Sequence, residues 1–321
     1  EGALTTLPRR TNGETDPRRC TATQERIWIA HHLDPAASVY NLPFAFEFAG
    51  RLDAMRLKAA VEQVLARHSA LSKVFTRTSE GLRQAPRLTG GFDIELVDLS
   101  EGDASTMELA RTLATHRFDL AKDSLARLRI GVTEARTVLA GVFHHIVVDG
   151  ASMRLLLQQV AKVYAEPDGS WPGETGPTTS DLADAELGWR EALEGRLAEE
   201  YWRTELAGAP AIRDFDLGPP DLSTPSGTGE VTVRIDAQLT SAMLQLCGRL
   251  KCSPQAVLTT AFGWTASRWA GGGEVVVAVP SANRGFEGAE NSVGCFMTLL
   301  PIRIDATGPS NGADLIGRTW S

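Results

Sequence analysis

The chain has 321 residues, of which 43% are hydrophobic, and its formal net charge at pH 7 is −8. This length and composition can bury a large core and predict two domains or lobes rather than one. The negative charge and the scattered basic residues argue against a general nucleic-acid-binding surface. No apolar run approaches the roughly 18 residues of a membrane helix, and the cysteines lack CxxC spacing. We therefore expect a cytoplasmic protein with reduced thiols.

Two polar stretches suggest how the chain is divided. Residues 1–20 contain proline, glycine and arginine without periodicity, which is typical of a linker and lacks the apolar core of a signal peptide. Residues 166–180 are rich in Pro, Gly, Thr and Ser, which indicates a connection between lobes. We therefore predict a linker at 1–20, an N-terminal lobe at 21–168 and a C-terminal lobe at 169–321.

The N-terminal lobe begins with elements whose type follows from hydrophobic periodicity. Residues 20–33 carry an apolar stripe, and residues 44–48 alternate phenylalanine with small or polar side chains, which predicts a half-buried strand. A helix with one apolar face is predicted over residues 53–68. Another strand is predicted around residues 94–96, and a capping box at residues 105–108 indicates the start of a short helix.

The centre of the chain brings an apolar strand, ionisable side chains and a helix together. Residues 138–143 form a continuous apolar run with many β-branched side chains, which predicts a strand buried on both faces. The run ends at His144 and His145. Asp149 and Gly150 then supply a turn signal, and apolar residues at helical spacing predict the next helix.

The chemistry of this cluster has several interpretations. His144 and His145 point to opposite faces of a regular strand, so one can take part in chemistry while the other supports the fold. A metal site that included Asp149 would require the strand geometry to break, and no further ligand cluster is visible, so we predict none. Alternatively, Asp149 only caps the helix, Gly150 allows the turn and the histidines fill space. Spacing alone leaves catalysis and this structural interpretation open.

The second half of the chain has weaker local signals. Residues 180–210 predict a long amphipathic helical stretch, and the alternation of apolar residues over 231–235 predicts a strand. Thr240 is predicted to cap a helix, and Ser253 followed by Pro254 indicates the start of another. The remaining predictions are a buried strand within residues 274–285, a strand at residues 299–304 and a helix at residues 313–321.

Several of these stretches resemble one family. The segment HHIVVDG, residues 144–150, resembles the HHxxxDG signature of chloramphenicol acetyltransferases, CoA-dependent acyltransferases and the condensation domains of nonribosomal peptide synthetases. The segment RHSALSKVF resembles the condensation motif RHExLRTxF but departs from it at Ser69, Ser72 and Lys73. Stretches that resemble condensation-domain motifs occur in the expected order, at residues 20–43, 67–75, 118–130, 180–210 and 293–304.

The resemblance implies a fold and a reaction. The fold would be a mixed α/β sandwich of two chloramphenicol-acetyltransferase-like lobes that form a V-shaped pseudo-dimer. The reaction would form an amide between a donor acyl or peptidyl thioester and an acceptor aminoacyl thioester. Both substrates would be carried on phosphopantetheine arms of upstream and downstream peptidyl carrier proteins. Neighbouring synthetase domains are the other expected partners, and we expect no nucleic acid, membrane, metal or bound cofactor.

The same resemblance assigns candidate site residues. His145 is expected to orient the attacking amine or to accept its proton, as general bases do, and His144 is expected to be structural. Asp149 would organise the loop, and Gly150 would permit close approach of the backbone to the reacting centre. Arg284, which follows a predicted strand through a polar turn, is the expected salt-bridge partner of Asp149.

Two alternative functions stay open. A standalone acyltransferase that uses coenzyme A or one carrier thioester would rely on the same histidine, and a catalytically silent condensation-like module would recruit a tailoring enzyme or position carriers. The linker-like N-terminus and the Tyr201-Trp202 pair favour the synthetase interpretation. Because members of the family continue past the equivalent of residues 299–304 with further strands, we expect an incomplete second lobe.

Overall fold

The computed structural model describes most of the chain as two compact units. The first unit comprises residues 1–195 with 282–297, and the second comprises residues 196–281 with 298–321. None of the helices in the described part is long and apolar enough to cross a membrane. The described residues are 7, 17–34, 38–99, 106–169, 176–210, 231–307 and 311–320.

The first unit combines two described sheets with helices. Its strands are β1 (Arg18–Arg19), β2 (Asn41–Ala49), β3 (Lys73–Thr78), β4 (Gly81–Pro86), β5 (Asp93–Val97), β6 (Ala126–Val132) and β7 (Arg136–His144). Its helices are α1 (Ala22–Leu33), α2 (Ala54–Arg67), α3 (Thr106–Ala114), α4 (Gly150–Ala165) and α5 (Thr179–Glu191). The larger sheet has the order β2-β7-β6-β5, with β5 and β6 parallel and the other pairs antiparallel. The smaller sheet has the order β1-β4-β3 and is antiparallel.

Strand β7 is the central element of the larger sheet. It pairs with β2 on one side and β6 on the other, and from Thr137 to His144 every residue is buried. This confirms the strand that the apolar run at residues 138–143 predicts. Because the strand ends at His144, the following ionisable residues emerge at the edge of the sheet.

Local capping signals account for where several helices begin. Asp53 caps α2 by accepting a hydrogen bond from the backbone N–H of Arg56, as the predicted helix at residues 53–68 requires. Thr21 and Gln24 form a capping box at the start of α1. Ser105, the predicted cap of α3, lies outside the described residues, and α3 begins at Thr106.

Gly141 provides a test of packing in the larger sheet. In the register of β2 and β7, Phe44 lies opposite Gly141, and a Cβ atom added to Gly141 would lie 2.7 Å from Cζ of Phe44 and 3.0 Å from the carbonyl oxygen of Arg127. We therefore expect Gly141→Ala to lower the free energy of unfolding by about 1–3 kcal/mol through overpacking.

The control for this substitution is Gly248→Ala. Gly248 lies in a helix of the second unit, and an added Cβ would meet no atom within 4 Å. Since alanine is a better helix former than glycine, this variant should be about 0.5–1 kcal/mol more stable. Urea unfolding of both variants measures the two effects, and a Gly141→Ala protein as stable as wild type would contradict the packing argument.

The region predicted to be a linker differs in the structure. Arg18 and Arg19 form β1 and pair with β4, and the described residue Leu7 is buried in a cluster with Leu182 and Phe296. Arg18 also forms an ion pair with Asp184 of α5. These contacts are made with residues far away in sequence, so the polar composition of the segment did not indicate them.

The second unit is built on a two-stranded antiparallel sheet within its described residues. Its strands are β8 (Glu274–Ser281) and β9 (Thr298–Asp305), and its helices are α7 (Ala237–Leu250), α8 (Pro254–Trp269) and α9 (Gly312–Trp320), together with most of α6 (Leu193–Glu205). Val275, Ile304 and Leu315 form its described hydrophobic cluster. Strand β8 is only partly buried, because Val276 is exposed, whereas the sequence predicted a buried strand.

Two local predictions in this unit are wrong. Residues 231–235 form no strand, and Val231 and Val233 are largely exposed. Alternation is necessary for a half-buried strand, but a strand also needs a hydrogen-bonding partner, and this segment pairs with no described strand. Asp236, rather than Thr240, caps α7 by accepting from the backbone N–H of Leu239. The predicted cap at Ser253, followed by Pro254, is confirmed for α8.

The long helical stretch predicted over residues 180–210 is divided into α5 and α6. The helices are separated at Ala192, whose backbone is extended and whose N–H bonds to Gly188 and Trp189. A Cβ atom on Gly195 would lie 2.2 Å from the carbonyl oxygen of Trp189. The break therefore depends on a close backbone approach that hydrophobic periodicity does not report. The compact units divide shortly after this break, between residues 195 and 196 in the first turn of α6. The lobe boundary at 168/169 stays a prediction.

Candidate active site

The candidate site lies in the first unit, in the turn that joins β7 to α4. His144 is the last residue of β7, and its N–H donates to the carbonyl of Leu125. The N–H of His145 donates to the carbonyl of Tyr40 at 2.7 Å, and the N–H of Val147 donates to the carbonyl of His144 at 3.1 Å. The backbone leaves strand geometry at His145, and these bonds hold the turn.

His145 is half-buried, and its imidazole has one described side-chain contact through Nδ1. That contact is the thiol of Cys295, with Sγ 3.9 Å from Nδ1. Among the described residues no side chain or backbone group forms a hydrogen bond with Nε2 of His145. The ring is therefore supported on one nitrogen and has the other available for a substrate.

His144 differs from His145 in its burial, its hydrogen-bond partner and its ring contacts. It is 1% exposed, and its Nδ1 accepts a hydrogen bond from the backbone N–H of Ile146. Its ring contacts those of His31 and Phe118 edge to face. Burial lowers the pKa of His144 to about 3, with smaller contributions from the charges of His31 and His145. His144 is therefore a neutral side chain packed inside the unit.

The buried state of His144 predicts a pH dependence of stability. Its pKa in the folded state, about 3, lies below the ordinary value of 6.5, so between these values the unfolded chain binds more protons than the folded chain. The contribution of His144 to the free energy of unfolding is therefore fully present above pH 6.5. It is lost as the pH decreases toward 3, by up to about 1.4 kcal/mol per pH unit.

Urea unfolding between pH 4 and pH 7 measures this slope. We expect His144→Asn to be less stable than wild type at pH 7 and to have a smaller slope below pH 6.5. The exposed residue His32 provides the control, because His32→Asn also removes an imidazole but opens no cavity in the core. Equal slopes in wild type and His144→Asn would show that His144 is not the group responsible.

Asp149 both caps a helix and binds an arginine. Its Oδ1 accepts from the N–H of Ser152 at 2.8 Å, which caps α4. Nη2 of Arg284 lies 2.9 Å from Oδ1 and 3.1 Å from Oδ2, and the N–H of Phe296 donates to Oδ2 at 3.1 Å. Asp149 is 2% exposed, so its charge depends on these donors. The ion pair with Arg284 is the one that the sequence predicts.

Ser152 completes the cluster and was not identified from the sequence. Its Oγ lies 2.8 Å from Oδ1 of Asp149 and 2.9 Å from the carbonyl oxygen of Gly294, and it accepts from the N–H of Gly294 and from Nη2 of Arg284. We call Asp149, Ser152, Arg284, Gly294 and Phe296 the Asp149 network. The network fastens the segment around Gly294 to the turn that carries His145.

Arg284 has further contacts that hold it in the network. Its Nη1 donates to the carbonyl oxygens of Ala289 and Ser292, each at 2.8 Å, and its guanidinium lies 4.8 Å from the centre of the Phe296 ring. The arginine therefore neutralises Asp149 and also orders residues 289–292. Its described contacts are those of a structural residue.

Gln24 also supports the turn. The sequence indicated it only as part of the stretch at residues 20–43 that resembles a family motif. Its Nε2 donates to the carbonyl of Ile146 at 3.1 Å, and its Oε1 accepts from the N–H of Thr21. The capping box at the start of α1 could have indicated its buried position. Its contact with the turn is made 122 residues away in sequence, where no local signal reports it.

The sequence suggested that Gly150 forms part of a turn, and its position in the structure is different. It is the first residue of α4 and has no left-handed backbone conformation. An added Cβ would meet no described atom within 4 Å. The packing of the protein therefore does not require glycine at this position. Because no described atom lies near the missing Cβ, there is open space next to the backbone at the start of the helix.

The side chains at the site favour proton transfer or substrate positioning by the imidazole of His145. No group of three or more His, Cys, Asp or Glu side chains in the described part of the chain is arranged to hold a metal ion. Cys295 is fully buried, and burial, followed by the charge of Asp149, raises the pKa of its thiol well above its usual range. A protonated, buried thiol is a poor nucleophile. His145 is thus the group best placed to meet a substrate.

Comparisons with known proteins agree on one family. The model of the condensation domain matches residues 17–320. The chain is 29% identical over 306 residues to malpinin synthetase of Mortierella alpina, covering 92% of this chain and 4% of that protein. It is 27% identical over 300 residues to surfactin synthase subunit 1 of Bacillus subtilis (strain 168), covering 92% of this chain and 8% of that subunit. The chain thus spans less than a tenth of these relatives.

A solved structure supports the fold. The first condensation domain of the calcium-dependent antibiotic synthetase, in complex with a substrate analogue, superposes with a TM-score of 0.76 at 22% identity, over 94% of this chain and 73% of that chain. The mixed α/β fold is therefore that of condensation domains. Together with the family match over residues 17–320, this shows that the chain belongs to the condensation-domain family.

Proposed function

We propose that this chain catalyses amide formation between a donor acyl or peptidyl thioester and an acceptor aminoacyl thioester. The observation that carries the proposal is the imidazole of His145, held through Nδ1 with Nε2 available, at the end of a buried strand. Acyl transfer to an amine needs one group that orients the amine and accepts its proton. Membership of the condensation family supports the choice of an amine as acceptor.

The reaction balances without a further reagent. The acceptor amine attacks the thioester carbonyl of the donor, the C–N bond forms, and the C–S bond breaks. The amine loses one proton, which Nε2 of His145 can accept, and the departing phosphopantetheine thiolate takes up one proton. The product is an amide that remains attached to the acceptor arm through its own thioester.

The other candidate residues have supporting roles. Asp149 and Arg284 hold the turn, and His144 packs behind it in neutral form. Gly150 leaves space for a substrate to approach the backbone at the start of α4. Of these residues, only His145 is proposed to touch the reacting groups.

The partners follow from the chemistry of the substrates. Upstream and downstream peptidyl carrier proteins would deliver the donor and the acceptor on phosphopantetheine arms, and neighbouring synthetase domains would load them. We propose that the domain binds no cofactor of its own and works in the cytoplasm. The division into lobes at 168/169 is part of the same proposal.

A reconstituted assay tests the function. The chain is mixed with a panel of acyl-loaded donor carriers and aminoacyl-loaded acceptor carriers, and the acceptor thioesters are analysed by mass spectrometry. We expect the acceptor to gain the mass of the donor acyl group. A second arm supplies acyl-CoA with free amines or alcohols. Product in that arm alone would identify a standalone acyltransferase, and no product in either arm across the panel would support a silent module.

A further inference from the structure

The candidate site contains one side chain that the proposed reaction does not yet use. Cys295 is 0% exposed, and its thiol faces the imidazole of His145, with Sγ 3.9 Å from Nδ1. The two residues are 150 positions apart in sequence. The sequence predicted only that the cysteines are reduced thiols, and gave no reason to associate this thiol with His145.

The Asp149 network determines where this thiol lies. On one side of Cys295, Gly294 exchanges hydrogen bonds with Ser152 through both its N–H and its carbonyl. On the other side, the N–H of Phe296 donates to Asp149. Because both neighbours are attached to the turn between β7 and α4, the thiol has little freedom to move away from the imidazole.

The chemistry of the thiol restricts what it can do there. The pKa of Cys295 is raised by burial and by Asp149, with Arg26 and Arg284 opposing this effect. The thiol is therefore neutral at physiological pH and does not place a negative charge beside the ring. A neutral thiol can still accept or donate one weak hydrogen bond.

We propose that Cys295 is a positioning residue for His145: the N–H at Nδ1 of His145 donates a hydrogen bond to Sγ of Cys295, so that Nε2 keeps the lone pair directed at the acceptor amine. This inference rests on the proposed function, since a base at Nε2 requires the tautomer in which Nδ1 carries the proton. It assigns the Asp149 network a second role. By fastening residues 294–296 to the turn, the network orients the imidazole as well as stabilising the unit.

The tautomer can be observed without any substrate. Nitrogen-15 NMR of the ring nitrogens of histidine-labelled protein distinguishes a protonated Nδ1 from a protonated Nε2. We expect His145 in the wild type to carry its proton on Nδ1 at a pH where the ring is neutral. In Cys295→Ala the proton should shift toward Nε2, because Nδ1 has lost its acceptor, and in Cys295→Ser the hydroxyl oxygen should restore the wild-type tautomer.

Kinetics supply the second measurement. A small displacement of a catalytic group can cost up to about a hundredfold in rate, and we expect kcat of Cys295→Ala in the carrier assay to fall about tenfold. The KM for the acceptor thioester should not change, since Cys295 does not bind it. Cys295→Ser should recover much of the rate.

Cys20→Ala is the matched control. Cys20 is also a buried thiol of the first unit with a pKa raised by burial, but its described contacts include no histidine. The substitution removes the same sulfur atom from another buried position. It should change neither the His145 tautomer nor kcat, so a general effect of cavity formation is separated from the loss of the imidazole contact.

The outcomes distinguish this inference from the proposed function. A wild-type His145 protonated on Nε2, or a folded Cys295→Ala protein with wild-type tautomer and kcat, would overturn the positioning role. A donor acyl group attached to Cys295 in intact-mass analysis would also overturn it, because the thiol would then be a nucleophile. An inactive wild type with Nδ1 protonated would count against the proposed function while leaving the imidazole contact in place.

Discussion

Replacing His145 with alanine is expected to lower the rate of condensation by about 10²- to 10⁴-fold, the usual contribution of a general base. The imidazole lies in a turn at the end of β7, is half-buried, and has one described hydrogen-bond contact through its side chain. Its removal therefore costs little packing but removes the group whose Nε2 would take the proton of the amine. The measurement is the rate of product formation on the acceptor carrier.

Thermal unfolding controls for the fold of this variant. The melting temperature of His145→Ala should be close to that of wild type, whereas His144→Ala should be clearly less stable because it leaves a cavity at a fully buried position. The contrast between adjacent histidines separates chemistry from packing. A folded His145→Ala protein that condenses substrates at the wild-type rate would remove His145 from the mechanism.

Removing one partner of the Asp149–Arg284 pair should have the largest effect on stability. Asp149 is 2% exposed, and the Arg284 side chain is mostly buried. Loss of the guanidinium in Arg284→Ala leaves a buried carboxylate with fewer donors, which typically costs about 3–5 kcal/mol. Asp149→Asn should be destabilising for the same reason, since it leaves the charge of Arg284 uncompensated.

A double-mutant cycle isolates the interaction between these residues. The single variants and the combined Asp149→Asn, Arg284→Ala protein are compared by urea unfolding, and the combined protein should lose clearly less than the sum of the single losses. The exposed pair Glu199–Arg203 on α6 is the control, with side chains 68% and 71% exposed. Arg203→Ala should cost about 0.3–0.5 kcal/mol. Additive losses at Asp149 and Arg284 would show that the contact contributes nothing specific.

The sequence by itself determined the features that depend on neighbouring residues. The apolar run of β7, the caps of α2 and α8, and the spacing from His145 to Asp149 are all set within a few positions along the chain. Such signals act over one strand or one helical turn, which is the range over which hydrophobic period and capping residues operate. The resemblance of HHIVVDG to the family signature depends on the same short range.

Apart from Arg284, which the sequence predicted as the partner of Asp149, the distant residues that complete the site were decided by the tertiary structure alone. Ser152 contacts Gly294 across 142 positions, and His145 contacts Cys295 across 150 positions. Contacts of this kind leave no periodic trace in either segment. The same reason explains the errors. Alternation over residues 231–235 reports a possible strand face but not a partner strand, and the break between α5 and α6 depends on where Gly195 contacts the preceding turn. Local chemistry specifies elements, whereas the site exists only because packing brings separate elements together.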